Sequence, residues 1–333
     1  MTEIQTGNPG KAHRKSMSLT QLFCKWPDNA AAEQWFIQQR WPNGITCPHC
    51  GSTNVQTGAR HKTMPYRCRD KECGKRFSTR TGTVMEASKL GYQIWIVATY
   101  FLTTSLKGVC SMKLHRDLEI NHRSAWFLAH RLRTALEANG NTNRGSGLFG
   151  GPVEIDEAPM GGKRRNKSNA QRKEATVRAA AGKTVVIGAK DQETNQVTTR
   201  TVPDTTRETL RGLVADMAAE GVRVCADDLS GNESFPDPHE TVNHSSRRYV
   251  DGLIHANGIE LFRSMFMRAH EGTCLKMLPG HLGRHITEFA AHQNLLEKDK
   301  VAFLAAVARG GIVKRPKYRR LIANNRPDSG AQS

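Results

Sequence analysis

The chain has 333 residues, enough for two or three domains of ordinary size and at least one full hydrophobic core. Lysine and arginine number 49 against 31 aspartate and glutamate residues, a formal net charge of +18. This excess predicts a polyanionic partner, above all nucleic acid. No apolar run reaches the roughly 20 residues that span a bilayer, and the polar N-terminus lacks a signal-peptide core, so we expect a soluble cytoplasmic protein without a membrane partner.

The first predicted element is a short helix in PDNAAAEQWFIQQRWPNG. Asp28 or Asn29 can cap its start, and the alanine-rich first turn favours a helix. We expect Trp35 and Phe36 to pack this helix onto the cysteine-rich segment that follows it.

Two cysteine knuckles come next, C-P-H-C and C-R-D-K-E-C, formed by Cys47, Cys50, Cys68 and Cys73. In a reducing compartment this pattern predicts a zinc ribbon, in which four thiolates complete a closed and purely structural site. Two disulfides are the alternative. The basic residues around the knuckles, among them Arg69, Lys75 and Arg76, predict a face for DNA, with a merely solvated surface as the alternative.

Three helices are predicted between Lys89 and Asn139, in KLGYQIWIVATYFLTTS, SMKLHRDL and HRSAWFLAHRLRTALEAN. The third has one apolar stripe, formed by Ala125, Leu128, Ala129, Leu132 and Leu136. A short second helix and a basic third one are typical of a helix-turn-helix, whose last helix enters the major groove, and we expect Arg131 to contact DNA. An ordinary three-helix connector explains the same pattern.

The remaining pattern predicts β-β-β-α-β, a further short strand, and a final helix. The strands lie in LFGGPVEID, KTVVIGAKD, QVTTRTVP, VRVCADD and ETVNH, and the helices in TRETLRGLVADMAAEG and HANGIELFRSMFMRAHEGT. Acidic residues end two strands and begin the last helix: Glu154, Asp156, Glu157, Asp227, Asp228 and Glu260. Gathered carboxylates repel one another unless a cation lies between them, and Mg²⁺ prefers such oxygen ligands. A pair of such ions suits phosphodiester chemistry on nucleic acid.

With these motifs in this order, the chain resembles the DDE transposases of bacterial insertion sequences that carry an N-terminal zinc ribbon, the ISXO-type group. The resemblance runs from about Leu22 to about Asn294 and includes RWPNGITCPHCGSTNV, VEIDEAPMGGKRRNK, HANGIELFRSMFMRAHEGT and HLGRHITEFAAHQN. It implies a multidomain α+β fold with an RNase H-like catalytic core built on a mixed sheet. The expected domains are 17–88, a zinc ribbon with its preceding helix; 89–142, a helix-turn-helix-like domain; 148–300, the catalytic domain; and 301–333, a basic tail.

The resemblance also implies the site residues. Asp156 and Asp227 match the first two catalytic carboxylates, with Asp228 as the alternative to the second. Glu260 matches the third, with Asn257 as the alternative. Many relatives have a lysine seven residues after that glutamate, where this chain has Met267, so Arg263 or Arg268 would have to replace its DNA contact.

The implied activity is transposition. The protein would bind terminal inverted repeats in double-stranded DNA, nick the ends, and join the 3′-hydroxyl to target DNA with two Mg²⁺ or Mn²⁺ ions. It would act on the bacterial nucleoid as a dimer or higher oligomer. A nuclease or resolvase on the same fold, or a DNA-binding protein with an inactive core, is the alternative.

A basic insertion follows Asp156, and we expect it to grip the phosphate backbone beside the metal site. The residues that would do so include Lys163, Arg164, Arg165, Lys167, Arg172 and Lys173. A solvated loop is the alternative.

Overall fold

The computed structural model describes residues 17–61, 63–105, 107–138, 149–160, 184–202, 206–219, 221–222, 224–227, 239–242, 257–273, 277, 279–295 and 299–323. The chain divides into two compact units, Met1–Asn139 with Leu295–Arg320, and Gly140–Asn294 with Leu321–Ser333. None of the helices in the described part is long and apolar enough to cross a bilayer.

The N-terminal unit begins with two capped helices, α1 (Leu19–Lys25) and α2 (Asn29–Arg40). Asp28 caps α2, as predicted, by accepting a 2.8 Å hydrogen bond from the Ala31 amide. The packing of α2 differs from the expectation. Phe36 lies 5.9 Å from the Tyr92 ring in the helical part of the unit, and Trp35 lies 5.2 Å from Trp26.

A three-stranded antiparallel sheet follows, β1 (Val55–Gln56), β2 (Tyr66–Cys68) and β3 (Arg76–Phe77), in the order β1-β2-β3. Trp41, just after α2, packs on this small sheet, with its ring 5.9 Å from Tyr66 and 6.1 Å from Phe77. Trp41 therefore makes the contact expected of Trp35 and Phe36, since a residue at the end of the helix lies nearer to the segment that follows.

The three predicted helices are α3 (Tyr92–Thr104), α4 (Ser111–Asp117) and α5 (His122–Ala138). The apolar stripe predicted for α5 is buried at all five positions. Asn121 shapes the turn between α4 and α5, because its side chain accepts a 2.8 Å hydrogen bond from the Arg123 amide.

Two further helices follow residue 299, α9 (Lys300–Gly310) and α10 (Tyr318–Ala323). The first packs against α2, α3 and α5 and buries Phe303, Leu304 and Val307. This differs from the basic tail predicted for 301–333. The apolar run VAFLAAV supplies a core face that closes the N-terminal unit, and the charged residues lie only after it.

The second unit is built on a five-stranded mixed sheet of order β6-β5-β4-β7-β8. Its strands are β4 (Val153–Met160), β5 (Thr184–Asp191), β6 (Val197–Val202), β7 (Val224–Asp227) and β8 (His239–Val242). The first three are antiparallel neighbours, while β7 runs parallel to β4 and β8 parallel to β7.

Helices cover both faces of this sheet. Val153 and Ile155 join the core beneath α6 (Arg207–Met217). Ala158 and Met160 join the core beneath α7 (Asn257–Gly272) and α8 (Pro279–Asn294). The element order is the one predicted, and the mixed sheet with helices on both faces confirms the predicted fold class.

Candidate active site and zinc site

Asp156 lies at the centre of the mixed sheet, on the face that carries α7. Side chains alternate along a strand, so Asp156 shares a face with Ala158 and Met160, which pack beneath α7. Its neighbours Ile155 and Val153 fill the opposite core. The carboxylate of Asp156 is 8% exposed, so β4 presents it to α7 in a mostly dry setting.

Asp227 ends β7, the strand parallel to β4. The register pairs Ile155 with Ala226, so Asp156 and Asp227 are the next residues on two adjacent parallel strands. Neighbouring strands lie about 4.8 Å apart, which places the two backbone positions side by side. Asp228 lies outside the described residues.

Glu154 fixes the start of α7, a role that the sequence patterns did not predict. Its side chain is fully buried, and its Oε2 accepts a 2.7 Å hydrogen bond from the Ile259 amide in the first turn of α7. Gln192 Nε2 donates to the other oxygen at 3.1 Å. A Cβ on Gly258 would lie only 2.8 Å from Glu154 Oε2, so the absence of a side chain permits this approach. The signal was present in the sequence, since Glu154 stands two residues before Asp156 and shares its face.

Arg263 forms an ion pair with Asp156. Its Nη1 lies 3.2 Å from Asp156 Oδ1 and 3.4 Å from Oδ2. Arg263 lies three residues after Glu260, so one helical turn carries both side chains to the same region. The sequence identified Arg263 only as a possible contact to DNA.

The electrostatics of Asp156 and Glu157, two of the three carboxyls on β4, show a need for positive charge. Burial raises the pKa of Asp156, Arg263 opposes that shift, and the charge of Glu260 adds to it. Burial also raises the pKa of Glu157, again against the effect of Arg263. Glu157 Oε2 is buried without a hydrogen-bond partner among the described residues. Asp156 is a buried carboxylate whose raised pKa Arg263 only partly offsets, and such a group, close to the charge of Glu260, fits a hard divalent cation, which takes oxygen ligands.

The third carboxylate that the resemblance implies lies on α7. Glu260 is partly buried in its first turn, while the side chain of Asn257 lies outside the described residues. Met267 packs against the apolar core beneath α7, and Arg268 is exposed, with its Nε donating to the Ser264 carbonyl at 3.2 Å.

The four knuckle cysteines converge on one point. Their sulfur atoms all lie within 4.8 Å of one another, with Cys47 and Cys73 3.8 Å apart and Cys50 and Cys68 3.6 Å apart. All four are free thiols, which excludes the disulfide alternative. A tetrahedron with Zn–S bonds of about 2.3 Å has sulfur atoms about 3.8 Å apart, so the cluster fits a structural zinc ion.

The expected DNA-binding residues fall into three groups. Arg69, Lys75 and Arg76 are exposed on the ribbon, and Arg76 is paired in register with Arg67 across β2 and β3. Like charges directly opposite destabilise a sheet, which favours an anionic partner on this face. Arg131 is 3% exposed, and its Nη1 donates to the carbonyls of Val84 and Glu86. The whole basic insertion after Asp156 lies outside the described residues.

Comparisons with known proteins agree with this organisation. Residues 27–76 match the transposase zinc-ribbon domain, and residues 148–294 match the ISXO2-like transposase domain. A Halobacterium salinarum protein, described as an uncharacterized protein in transposable element ISH50, is 27% identical over 269 residues, which cover 75% of this chain and 87% of that protein. No solved structure matches the chain significantly.

Proposed function

Because this chain belongs to the ISXO2-like DDE transposases that carry an N-terminal zinc ribbon, we propose that it nicks the ends of an insertion sequence and joins them to target DNA. The observation that carries the proposal is the placement of Asp156 on the central strand, with Asp227 in register beside it and Glu260 on the helix above. Terminal inverted repeats in double-stranded DNA would be the substrate, and a dimer or higher oligomer would bring two ends together.

Asp156, Asp227 and Glu260 would hold two Mg²⁺ or Mn²⁺ ions, with Asp228 and Asn257 as the alternatives to the second and third residues. When bound, these ions would supply Lewis-acid polarisation of the scissile phosphate. Glu154 would keep α7, and with it Glu260, in place. Arg263 would neutralise Asp156 until the ions and DNA arrive.

Two displacements complete the reaction. Water attacks the phosphorus at an element end, the bond from phosphorus to the 3′ oxygen breaks, and the element keeps a free 3′-hydroxyl. That hydroxyl then attacks a target phosphate and displaces the 3′ oxygen of the target strand. The basic insertion that contains Lys163 and Arg164 would hold DNA beside the site.

A strand-transfer assay tests the proposal. Labelled duplex carrying the repeats that flank the reading frame is incubated with Mg²⁺ or Mn²⁺ and wild type, Asp156→Asn, or the control Asp216→Asn. Asp216 is an exposed carboxylate of the same unit, paired with Arg200. We expect joined product from wild type and control and a loss of at least 10³-fold in Asp156→Asn, as for other groups that act only in the transition state. Nicked but unjoined DNA would instead indicate a nuclease, and binding without either product an inactive core.

A further inference from the structure

An open groove of about 540 Å³ lies within the N-terminal unit, and we call it the arginine groove. Its lining comes from Ala87–Leu90, from Trp95 of α3, from the first three turns of α5, and from Arg315 and Tyr318 near the C-terminus. Its cations are Lys89, Arg123, Arg131 and Arg315, and none of the described residues that line it is a carboxylate. Every charged side chain among the described lining residues is therefore a cation.

Aromatic rings hold two of these cations in place. The guanidinium of Arg123 lies 4.3 Å from the centre of the Tyr318 ring, and that of Arg131 lies 4.1 Å from the centre of the Phe127 ring. Arg131 Nη1 also donates hydrogen bonds to the carbonyls of Val84 and Glu86, at 3.0 and 3.1 Å. Cations fixed in this way lose little side-chain entropy when an anion binds.

The groove also crowds its positive charges. Burial and then the charge of Arg315 lower the pKa of Arg131 to about 10, against the opposing charge of Glu86. The Nε of Arg131 is buried and has no hydrogen-bond partner in the described part of the chain. Crowded, partly unsatisfied guanidinium groups are stabilised by a bound anion, and a phosphate matches their fork of donors.

We propose that the arginine groove binds the phosphate backbone of duplex DNA. This inference rests on the proposed function and adds a contact site that includes the segment KRPKYRRL near the C-terminus. Backbone contact is favoured over base stacking because Arg123 and Arg131 cover faces of the Tyr318 and Phe127 rings. Arg131 forms the floor of the groove, and Arg123 and Arg315 make the contacts. Arg123 lies in the first turn of α5, the end of a recognition helix that approaches DNA.

Fluorescence anisotropy of the full chain on two duplexes tests the groove, without divalent ions so that no cleavage occurs. One duplex carries the element end and the other an unrelated sequence of the same length. The test variant is Arg123→Gln with Arg315→Gln, and Arg123→Lys with Arg315→Lys retains the charge. The control, Lys25→Gln with Lys107→Gln, removes the same charge from exposed positions that do not line the groove. Zinc content and circular dichroism establish that each variant is folded.

We expect the test variant to bind both duplexes more weakly by the same factor, about 10-fold or more. Its plot of log affinity against log salt should be shallower by about 1.8, since each lost phosphate contact removes about 0.9. The lysine variant and the control should keep most of the wild-type slope. A wild-type slope in the test variant, an equal loss in the control, or weakening on the element end alone would overturn the inference. Failure of wild type to bind either duplex would overturn the proposed function as well.

Discussion

At the scale of single residues, the cation beside Asp156 is Arg263, one turn beyond Glu260 on α7. Met267, two turns beyond Glu260, packs into the apolar core and supplies no charge there. The positive charge expected on this helix face is thus present, but nearer to its start. An arginine at this point neutralises a carboxylate that is 8% exposed. An unpaired charge is most costly when it is buried, as this carboxylate is.

We predict that Asp156→Asn stabilises the protein at neutral pH. The pKa of Asp156 is raised above its ordinary value of 3.8, so the folded protein binds this proton more tightly than the unfolded chain. As the pH rises above 3.8, ionisation of this carboxyl therefore lowers the free energy of unfolding, and the loss is complete at neutral pH. Removing it should contribute about 1 kcal/mol, or about 2–4 °C in thermal midpoint, in buffer without added divalent ions.

The pH dependence of the thermal midpoint separates the effect of removing the Asp156 charge from a change in stability that does not depend on pH. The gain should shrink as the pH falls and vanish below the ordinary pKa of 3.8, where the wild-type carboxyl is protonated in both the folded and the unfolded chain. Asp216→Asn, at a side chain that is 53% exposed, should change the midpoint little at either pH. A midpoint that falls at neutral pH would mean that the ion pair with Arg263 outweighs the cost of burial.

At the scale of elements, the geometry of the proposed active site includes a capping contact between β4 and α7. Glu154 caps α7 from the strand that carries Asp156, so the same strand sets both the first carboxylate and the helix of the third. A helix begins with amides that have no partner in the helix, and a carboxylate there also favours the helix dipole. Glu154 thus holds the start of α7, the helix that carries Glu260.

We predict that Glu154→Ala loosens the start of α7. The Ile259 amide and Gln192 Nε2 would lose their acceptor in a buried setting, at a cost of about 1–3 kcal/mol. Hydrogen exchange of peptides from α7 should become faster, most of all in the first two turns. Glu154→Gln, which keeps a side-chain oxygen, should show a smaller effect.

The matched control is Glu271→Ala, an exposed glutamate at the other end of the same helix. It should leave exchange in the first turns unchanged. Equal exchange rates in Glu154→Ala and wild type would contradict the positioning role.

At the scale of the whole molecule, the N-terminal unit is assembled from two distant parts of the chain. Residues up to 139 and residues 295–320 form one compact unit, and the second unit lies between them in the sequence. The helix α9 closes the core of the N-terminal unit by packing on α2, α3 and α5. Folding of the N-terminal unit therefore depends on a segment near the C-terminus.

We predict that a chain ending at Asn294 has an unstable N-terminal unit. Loss of α9 would expose the core that Phe303, Leu304 and Val307 fill, a loss on the order of 5 kcal/mol at about 1.5–3 kcal/mol for each side chain. Limited proteolysis of residues 17–138 should become faster, and the unit should bind a hydrophobic dye. A chain ending at Ala323 retains α9 and should behave as wild type. Equal protease resistance in both truncations would show that α9 is dispensable.

Much of the fold could be predicted because its signals are local. The alternation along β4, the stripe of α5 and the knuckle spacing each arise within a few residues, and the structure places each as expected. The apolar run of α9 is visible in the sequence, but its packing partners α2, α3 and α5 are not, because an apolar helix face does not indicate which core it fills. For the same reason the pattern of α2 could not show that Trp35 and Phe36 pack on Trp26 and Tyr92 and not on the ribbon.

What the sequence by itself determined is the helices α2 to α5, the strands and helices from β4 to α7, the four zinc ligands and the membership of a transposase family, since these depend on residue type, order and spacing. Only the tertiary structure decided that Arg263 pairs with Asp156, that Glu154 caps α7, and that Arg123 and Arg315 share one groove. In the sequence, Asp156 and Arg263 are 107 positions apart, Glu154 and Ile259 are 105 apart, and Arg123 and Arg315 are 192 apart. Burial and charge pairing select among distant partners only when the chain has folded, because local pattern carries no information about which distant surface a side chain meets.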